Sequence, residues 1–328
     1  MSRVIALTGA TGFIGSALVK RLGAEGFAVR ALYRGSSASL PIQSPNIQWI
    51  LGQLDEPVSL ERLVQGSDTV IHCAGAVRGL KRRHFERVNT EGVARMVQAI
   101  KQTHPSPRFL LLSSLAAREP QLSYYAASKR QAEDFLKANG RALSWLALRP
   151  PAVYGPGDRE ITPLFKLMGK GVAPQASPRE CRFSMLYVDD LVAAIVALLS
   201  QSSWQRFIFE LHDGHPGGYQ WGDVVQTVAE VTGRPVHIIK IPRSAIRSAA
   251  VANVLGARVF GYAPMLSPGK VREIEHPDWT CDNATITTQI GWQPTTGLAE
   301  GIKKTFVFLG LIPDKPNRPT RGTRHADI

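Results

Sequence analysis

The sequence predicts an α/β protein in which a doubly wound parallel sheet is interwoven with a smaller second lobe. Three features lead to this prediction. Short apolar runs of strand length alternate with helical segments from residue 3 to about residue 150, as expected of parallel strands joined by helical crossovers. A glycine-rich turn, residues 8–15, directly follows the first of these runs. The alternation then stops, because prolines and glycines interrupt residues 159–180.

The first strand, turn and helix have the pattern of a dinucleotide-binding site. An apolar run at Arg3–Leu7 leads into the turn TGATGFIG, and a helix follows whose apolar residues recur at intervals of four. Here Gly9 permits the tight turn, Gly12 lets the backbone approach a pyrophosphate, and Gly15 allows close helix–strand contact. The free N–H groups at the helix start then face the anion. The expected cofactor contacts in this turn are Thr8, Gly9, Thr11, Gly12, Phe13, Ile14 and Gly15.

The residues after the second predicted strand indicate whether the cofactor is NAD or NADP. The run Phe27–Leu32 is followed by Arg34, Ser36 and Ser37, and no acidic residue occurs in residues 27–52. An acid at this point bonds the ribose 2′-hydroxyl of NAD, whereas an arginine accommodates the 2′-phosphate of NADP. We therefore predict NADP, with NAD as the alternative.

The third and fourth predicted strands are Ile47–Leu51 and Asp68–Gly75, the latter ending in a small-residue turn. We interpret His72 at this strand end as a hydrogen-bonded histidine rather than a catalyst. The basic stretch 78–87, RGLKRRHFER, is interpreted as a solvated loop, although its position beside the sheet edge also suits the attraction of an anionic substrate. A helix then opens at Asn89–Gly92.

The stretch after the fifth predicted strand carries the clearest chemistry. The apolar run Phe109–Leu112 ends at Ser113 and Ser114. Tyr125 follows, and Lys129 lies four residues further, on the same helical face. A lysine ammonium beside a phenol favours the phenolate and lowers the tyrosine pKa, which makes the tyrosine a usable proton donor and acceptor. A serine hydroxyl at a strand end can hold a substrate oxygen.

The rest of the chain supplies a sixth strand at Leu143–Leu148 and the elements of a second lobe. A helix near Val188–Leu199 and a strand near Phe207–Leu211 are expected to return to the sheet. We predict a dinucleotide-binding domain from residues 1–153 and 186–215, a substrate lobe from residues 154–185 and 216–310, and a basic tail at 311–328.

The composition is that of a globular enzyme. The chain has 328 residues, of which 44% are hydrophobic and 20% are charged, and no apolar run approaches the roughly 20 residues that span a bilayer. The first strand leaves no room for a signal peptide, and three scattered cysteines match no metal or disulfide pattern. We therefore expect a cytoplasmic protein without a bound metal.

The net charge of +13 and the isoelectric point near 10 point to anionic partners. The positive charge is mostly dispersed, apart from the stretch 78–87 and the tail, and no interleaved aromatic and basic residues suggest a base-stacking platform. A nucleic-acid-binding function is therefore not expected. Peripheral contact with an anionic surface stays open, and the expected partner is a small-molecule substrate.

The motifs in this order resemble the extended short-chain dehydrogenase/reductase family, which includes nucleotide-sugar epimerases and dehydratases, 3β-hydroxysteroid dehydrogenases and dihydroflavonol reductases. The resemblance covers about residues 3–310. The matching motifs are TGATGFIG at 8–15, the serine pair, Asn89-x-x-Gly92, YAASK at 125–129, LRPPAVYGPGD at 148–158 and Tyr187–Asp190.

The resemblance implies a Rossmann-type sheet and a role for each matched residue. Tyr125 would be the acid/base, Lys129 would lower its pKa and bind the ribose, Ser114 would hold the substrate oxygen, and Asn89 would support the adjoining helix. Further cofactor contacts are expected at Arg34, Gln53, Leu54, Ala74, Gly75, Pro150 and Val153.

Two departures from the family pattern are present. Gln53-Leu54 stands where relatives usually have Asp-Leu, so the contact with the adenine would come from an amide. Ala116–Arg118 stands where sugar epimerases carry Tyr-Gly, and the segment Leu266–Glu273, LSPGKVRE, is more similar to the steroid dehydrogenase and reductase branch. The last two features favour a small apolar substrate over a nucleotide sugar.

Three functions are therefore compared. The first is an NADP(H)-dependent oxidoreductase that interconverts a secondary alcohol and a carbonyl with the Tyr–Lys–Ser set. The second is a nucleotide-sugar epimerase or dehydratase with tightly bound NAD. The third is a non-catalytic cofactor-binding subunit, which retention of both Tyr125 and Lys129 disfavours. A homodimer through helices near residues 89–102 and 125–139 is also expected from the resemblance.

Overall fold

The computed structural model describes residues 3–35, 44–176, 178 and 180–314 of the chain. Within these residues, a parallel sheet of seven strands forms the centre, in the order β11-β6-β5-β4-β1-β2-β3. The strands of this sheet and of the smaller sheets are β1 (Val4–Thr8), β2 (Ala28–Tyr33), β3 (Ile47–Leu51), β4 (Thr69–His72), β5 (Arg108–Leu112), β6 (Trp145–Arg149), β7 (Ala152–Tyr154), β8 (Val172–Gln175), β9 (Arg182–Phe183), β10 (Met185–Tyr187), β11 (Phe207–Glu210), β12 (His237–Lys240) and β13 (Asp278–Trp279). The predicted doubly wound parallel sheet is confirmed.

Helices connect and cover these strands. They are α1 (Phe13–Ala24), α2 (Pro57–Val64), α3 (Arg82–Phe85), α4 (Glu91–Lys101), α5 (Tyr124–Asn139), α6 (Thr162–Met168), α7 (Val188–Ser200), α8 (Trp221–Thr232), α9 (Arg243–Phe260), α10 (Pro268–Glu275), α11 (Ala284–Ile290) and α12 (Leu298–Phe308). None of the helices in the described part of the chain combines the length and apolar character needed to cross a membrane.

Both faces of the central sheet are apolar, because alternate residues of each strand enter different cores. Ile5 and Leu7 of β1 pack into the core that α1 and α7 cover, whereas Ala6 packs into the core that α2, α4 and α5 cover. The same alternation separates Leu110 from Phe109 in β5. Burial on both faces explains why these strands are continuous apolar runs in the sequence.

The later part of the chain adds both to the sheet and to a second core. α7 packs against α1, and β11 pairs with β6 as the last strand of the central sheet. A separate apolar core, centred on Tyr154, Phe165 and Phe306, joins α6, α8 and α12. The division into two lobes at the boundaries given above stays a prediction.

The basic stretch 78–87 is not the loop that the sequence predicts. It contains α3, and a π-helical turn, Glu86–Thr90, joins α3 to α4. Phe85 is buried, and its ring lies 6.4 Å from that of Tyr125 between centroids. The burial of Phe85 stabilises a helical turn within this stretch. Its arginines form the ion pairs Arg78–Glu160, Arg82–Glu86 and Arg87–Asp55.

Candidate active site

The candidate site lies at the carboxyl edge of the central sheet, between β1 and β4. The strand order reverses at this point, since β2 and β3 extend to one side and β5 and β6 to the other. Ligands of open α/β sheets bind in the crevice at such a switch point. The turns after the two strands are in close contact, because a Cβ atom on Gly9 would lie 2.6 Å from the backbone nitrogen of Ala74.

The glycine turn forms a cradle that fits a pyrophosphate. Gly9 has φ of +71°, which favours glycine, and a Cβ atom on Gly15 would lie 2.0 Å from the carbonyl oxygen of Gly9. Gly12 is exposed, is the N-cap of α1 and provides no side-chain cap, and the first turn of α1 carries no acid. The N–H groups at the start of α1 are thus directed to an anion-binding position. Phe13 is half-buried beside this turn, and a Cβ atom on Gly157 would lie 3.7 Å from its ring.

The side chain of Thr8 is engaged within the protein, and its predicted cofactor contact stays a prediction. It is fully buried, and its hydroxyl is hydrogen-bonded to Nδ1 of His72 at 2.9 Å and accepts from the backbone of Ala74 at 3.4 Å. Thr8 instead ties β1 to β4 beneath the turn. Burial lowers the pKa of His72 to about 3, so this histidine is neutral. His72 is therefore a buried structural residue as predicted, although its Nε2 has no hydrogen-bond partner among the described residues.

Lys129 reaches the sheet edge from α5. Its side chain is buried, its Nζ donates to the carbonyl oxygen of Leu112 at 2.9 Å, and a Cβ atom on Gly75 would lie 3.2 Å from the same nitrogen. Burial lowers the pKa of Lys129 to about 8. The ammonium of Lys129 therefore lies close to the backbone of Gly75 at the end of β4, a position that suits a contact with the ribose of a nicotinamide nucleotide.

Asn89 holds the segment after β4 against α5. Its Oδ1 accepts from the backbone N–H of Ala76 at 2.8 Å, and its Nδ2 donates to the carbonyl oxygen of Ala76 at 3.1 Å and to Oγ of Ser128 at 2.8 Å. Asn89 is buried. This side chain therefore links the segment after β4 to α5, and its role in the active site stays a prediction.

The structure separates the two adjacent serines. The hydroxyl of Ser113 is buried and donates to Oε1 of Glu133 at 2.5 Å, and Glu133 also accepts two hydrogen bonds from Arg149. Ser114, by contrast, lies near the side chain of Tyr125 and lowers its pKa, and the Oγ of Ser114 accepts from the backbone N–H of Ala116 at 3.2 Å. The role of Ser114 as the group that holds the substrate oxygen stays a prediction.

The pKa of Tyr125 is raised, opposite to the lowering that the sequence predicts. Burial is the main cause, and the charges of Glu273 and Glu160 raise the pKa further. Ser114 and the charge of Lys270 act in the lowering direction. The ammonium of Lys129 donates to the carbonyl of Leu112 at the strand edge. Tyr125 is therefore protonated at neutral pH. Its neighbour Tyr124 is 53% exposed and faces outward.

The second lobe contributes a charged group that sequence reasoning missed. Lys270, on α10, lies close enough to shift the pKa of Tyr125 and pairs with Glu273 at 2.9 Å. Ser123, the N-cap of α5, donates a short hydrogen bond to Glu273. A Cβ atom on Gly269 would lie 2.9 Å from the Ser123 side chain. The start of the Tyr125 helix is thus anchored to α10. The only signal in the sequence was the resemblance of Leu266–Glu273 to one branch of the family.

Glu160 is a second residue that was missed. Its Oε1 accepts from Nε of Arg78 at 2.8 Å, whereas its Oε2 is buried and has no hydrogen-bond partner among the described residues. Because its charge raises the pKa of Tyr125, Glu160 lies near the tyrosine. A buried carboxylate oxygen without a partner is costly unless something donates to it. Glu160 is therefore a candidate ligand for a polar group of the substrate.

The remaining predicted contacts lie around the same sheet edge. Arg34 is exposed directly after β2, and Thr11 is exposed in the glycine turn. Gln53 follows β3 and donates to Glu56 at 3.3 Å, so its amide is already partly engaged. The others are half-buried or buried: Ile14 and Val153 pack against the core of α1, Leu54 against the core of α2, and the carbonyl of Pro150 accepts from the backbone of Leu115. Ser36, Ser37 and the basic tail from residue 315 lie outside the described residues.

Comparisons with known proteins identify the family of the chain. Residues 5–207 match the model of the NAD dependent epimerase/dehydratase family. The chain is 34% identical to a ceramide reductase of Caulobacter vibrioides, over 92% of this chain and 93% of that protein. It is 24% identical to a decarboxylating sterol-4-alpha-carboxylate 3-dehydrogenase of Saccharomyces cerevisiae, over 94% and 99%. The solved structure of MoeE5 with UDP-glucuronic acid and NAD has the same fold, with a TM-score of 0.73, 23% identity and coverage of 94% and 99%.

Proposed function

Because the chain belongs to the NAD-dependent epimerase/dehydratase family, we propose that it is an NADP(H)-dependent reductase that interconverts a ketone and a secondary alcohol on an amphipathic lipid. The chain is an NAD(P)-dependent enzyme of the extended short-chain dehydrogenase/reductase type. We propose in addition the direction of the reaction, the class of substrate and the role of each residue. The homodimer through α4 and α5 stays a prediction.

The observation that carries the proposal is that Ser114 and a protonated Tyr125 lie together at the sheet edge, close enough for Ser114 to lower the pKa of the tyrosine against the effect of burial. Two hydroxyl groups side by side can both donate to one carbonyl oxygen, which stabilises the negative charge that develops there. Because burial keeps Tyr125 protonated, it acts as the proton donor in ketone reduction. A nucleophilic or metal-dependent reaction does not require this arrangement.

The proposed reaction assigns a separate role to each side chain of the site. When bound, the nicotinamide cofactor supplies a hydride to the substrate carbon. Ser114 holds the carbonyl oxygen, and Tyr125 donates its phenolic proton to that oxygen as the alcohol forms. Lys129 binds the ribose hydroxyls from the Leu112 edge, and Asn89 keeps the segment after β4 in place.

An amphipathic lipid fits both the comparisons and the charges at the site. The two curated relatives described above are named for ceramide and for a sterol carboxylate, which are lipids with a polar end. Such an end carries hydroxyl or amide N–H donors near the reacting carbon. Glu160 Oε2 supplies an acceptor without a partner, and Lys270 supplies a donor, both close to Tyr125. We therefore assign these two residues to the polar end of the substrate.

The nucleotide-sugar alternative is tested by the cofactor that the purified protein retains. If the chain is a reductase, the purified protein should release little nucleotide when it is denatured. Added NADPH should bind reversibly and be oxidised when the ketone counterpart of ceramide is present. Stoichiometric NAD in the released material, together with interconversion of UDP-sugars, would instead identify an epimerase.

Arg34 is expected to determine the preference for NADP. The variant Arg34→Ala should raise the dissociation constant for NADPH about tenfold or more, because a charge-assisted contact to the 2′-phosphate is lost. Affinity for NADH should change little, and this serves as the internal control. Fluorescence titrations with the two cofactors measure both constants. Equal weakening of NADH and NADPH would show that Arg34 does not read the phosphate.

Lys129 is expected to set the alkaline limit of cofactor use. Its pKa is about 8, so its ammonium is present below this pH and lost above it. The kcat/KM for NADPH, which reports the free enzyme, should therefore fall as pH rises through about 8. The variant Lys129→Arg keeps its charge at high pH and should lose this fall, even if its maximal rate is lower. A fall that persists in Lys129→Arg would belong to another group.

A further inference from the structure

Helix α9 exposes an apolar ridge to solvent. The exposed fractions are 50% for Val251, 52% for Leu255, 78% for Val259 and 80% for Phe260, and the adjoining Tyr262 is 44% exposed. These residues are neighbours on the helix, since the first three recur at intervals of four. Isolated exposed apolar residues are common, but a contiguous group of this kind marks an interaction surface.

The ridge continues a row of cations along the same helix. Arg243 and Arg247 precede Val251 in steps of four, so the row is cationic in its first half and apolar in its second half. Both arginines are more than half exposed, although they pair with Glu275 on α10. Residues 231–272 contain seven Lys or Arg residues and no Asp or Glu: Arg234, Lys240, Arg243, Arg247, Arg258, Lys270 and Arg272.

The opposite side of α9 packs on the helix that supports the active site. Ile246 and Ala250 are buried against Val271 of α10. α10 also carries Lys270, which lies near Tyr125, and Glu273, which accepts from Ser123. Only one layer of helix therefore separates the exposed ridge from the candidate active site. The strand β12, three residues before α9, exposes Ile238 and Ile239 as well.

We propose that α9 is an interfacial helix that docks the second lobe on an anionic phospholipid bilayer. The apolar residues from Val251 to Tyr262 would enter the boundary between headgroups and acyl chains, while Arg243, Arg247 and Arg258 contact phosphate groups. The helix lies in the plane of the surface and does not cross the membrane. Docking would bring the candidate active site to the membrane, where lipid substrates are dissolved. This consequence rests on the proposed function.

Charge favours a bilayer over a second copy of the chain as the occupant. In a two-fold dimer the same patch faces itself. Such a contact would bring two positively charged patches together, because Glu273 and Glu275 offset only part of the seven cations of residues 231–272. An anionic lipid surface complements these cations and buries the apolar ridge at the same time.

The test is flotation of the full-length protein with vesicles. We expect the wild-type chain to float with vesicles of equimolar phosphatidylcholine and phosphatidylglycerol, to float much less with phosphatidylcholine alone, and to be released by added salt. The variant Leu255→Asp/Val259→Asp should bind vesicles at least about tenfold more weakly, because two aliphatic side chains that would insert into the bilayer are replaced by anions. Both positions are exposed, so its melting temperature should match that of the wild type.

Two controls separate the outcomes. Val58→Asp, which changes an exposed valine on α2, should float like the wild type. Tyr125→Phe should also float, since docking requires no turnover, and loss of the proposed reaction therefore leaves this result unaffected. Undiminished flotation of Leu255→Asp/Val259→Asp, or no flotation of the wild type, would overturn the proposal. A wild-type dimer that dissociates in this variant without vesicle binding would show that the ridge is an interface between copies.

Discussion

Tyr125→Phe should reduce the rate of ketone reduction about a thousandfold while leaving the affinity for NADPH nearly unchanged. The change removes one hydroxyl, which is the proposed proton donor and lies near Ser114. Positioned proton transfer contributes about 10²–10⁴-fold to rates, and part of the oxyanion stabilisation is lost with the same atom. Single-turnover reduction with saturating NADPH measures the chemical step, and fluorescence titration measures cofactor binding.

The adjacent residue provides a matched control. Tyr124→Phe removes the same atom one position earlier on the same helix, at a side chain that is 53% exposed. This variant should retain wild-type activity. Near-normal reduction by Tyr125→Phe, or equal losses in the two variants, would mean that the phenol of Tyr125 is not the proton donor.

Gly15→Ala should abolish productive cofactor binding and lower the stability of the protein. The added Cβ atom would lie 2.0 Å from the carbonyl oxygen of Gly9, a backbone atom that cannot move without displacing the turn. Overpacking of this kind costs about 1–3 kcal/mol of the free energy of unfolding. A displacement of α1 by about 1 Å is also enough to reduce turnover about a hundredfold. Thermal unfolding without NADPH measures the loss of stability, and the shift on adding NADPH measures cofactor binding.

Gly222→Ala is the control for this substitution. Gly222 lies in the first turn of α8, and an added Cβ atom would meet nothing within 4 Å. Because alanine restricts the unfolded chain more than glycine does, this variant should be as stable as the wild type or slightly more stable. Wild-type NADPH binding by Gly15→Ala would contradict the close helix–strand contact on which the cofactor site depends.

The parts of the structure that follow from local pattern could be predicted from the sequence. Strand β3 has the predicted bounds. Gly9 has a left-handed backbone in the turn, and Gly15 lies directly against the carbonyl of Gly9. The assignment of the substrate-oxygen contact to Ser114 came from the resemblance to the family, and in the structure Ser113 points to Glu133.

The failures concern contacts between segments that are distant in sequence. The pKa of Tyr125 depends on burial and on Glu160, Lys270 and Glu273, and no spacing rule brings these residues to position 125. The ammonium of Lys129 donates to the carbonyl of Leu112, a contact that the four-residue spacing from Tyr125 does not predict. The basic stretch 78–87 was interpreted as a loop because its charges obscured Phe85, whose burial against Tyr125 is a tertiary contact.

The central claim is that this site reduces a lipid ketone with NADPH. The direct measurement is mass spectrometry of the alcohol formed from the ketone counterpart of ceramide and NADPH deuterated at nicotinamide C4. The account predicts one deuterium on the carbinol carbon of the product, formed by the wild-type protein and by Tyr124→Phe but not by Tyr125→Phe. An alcohol without deuterium, or equal label transfer by Tyr125→Phe, would contradict it.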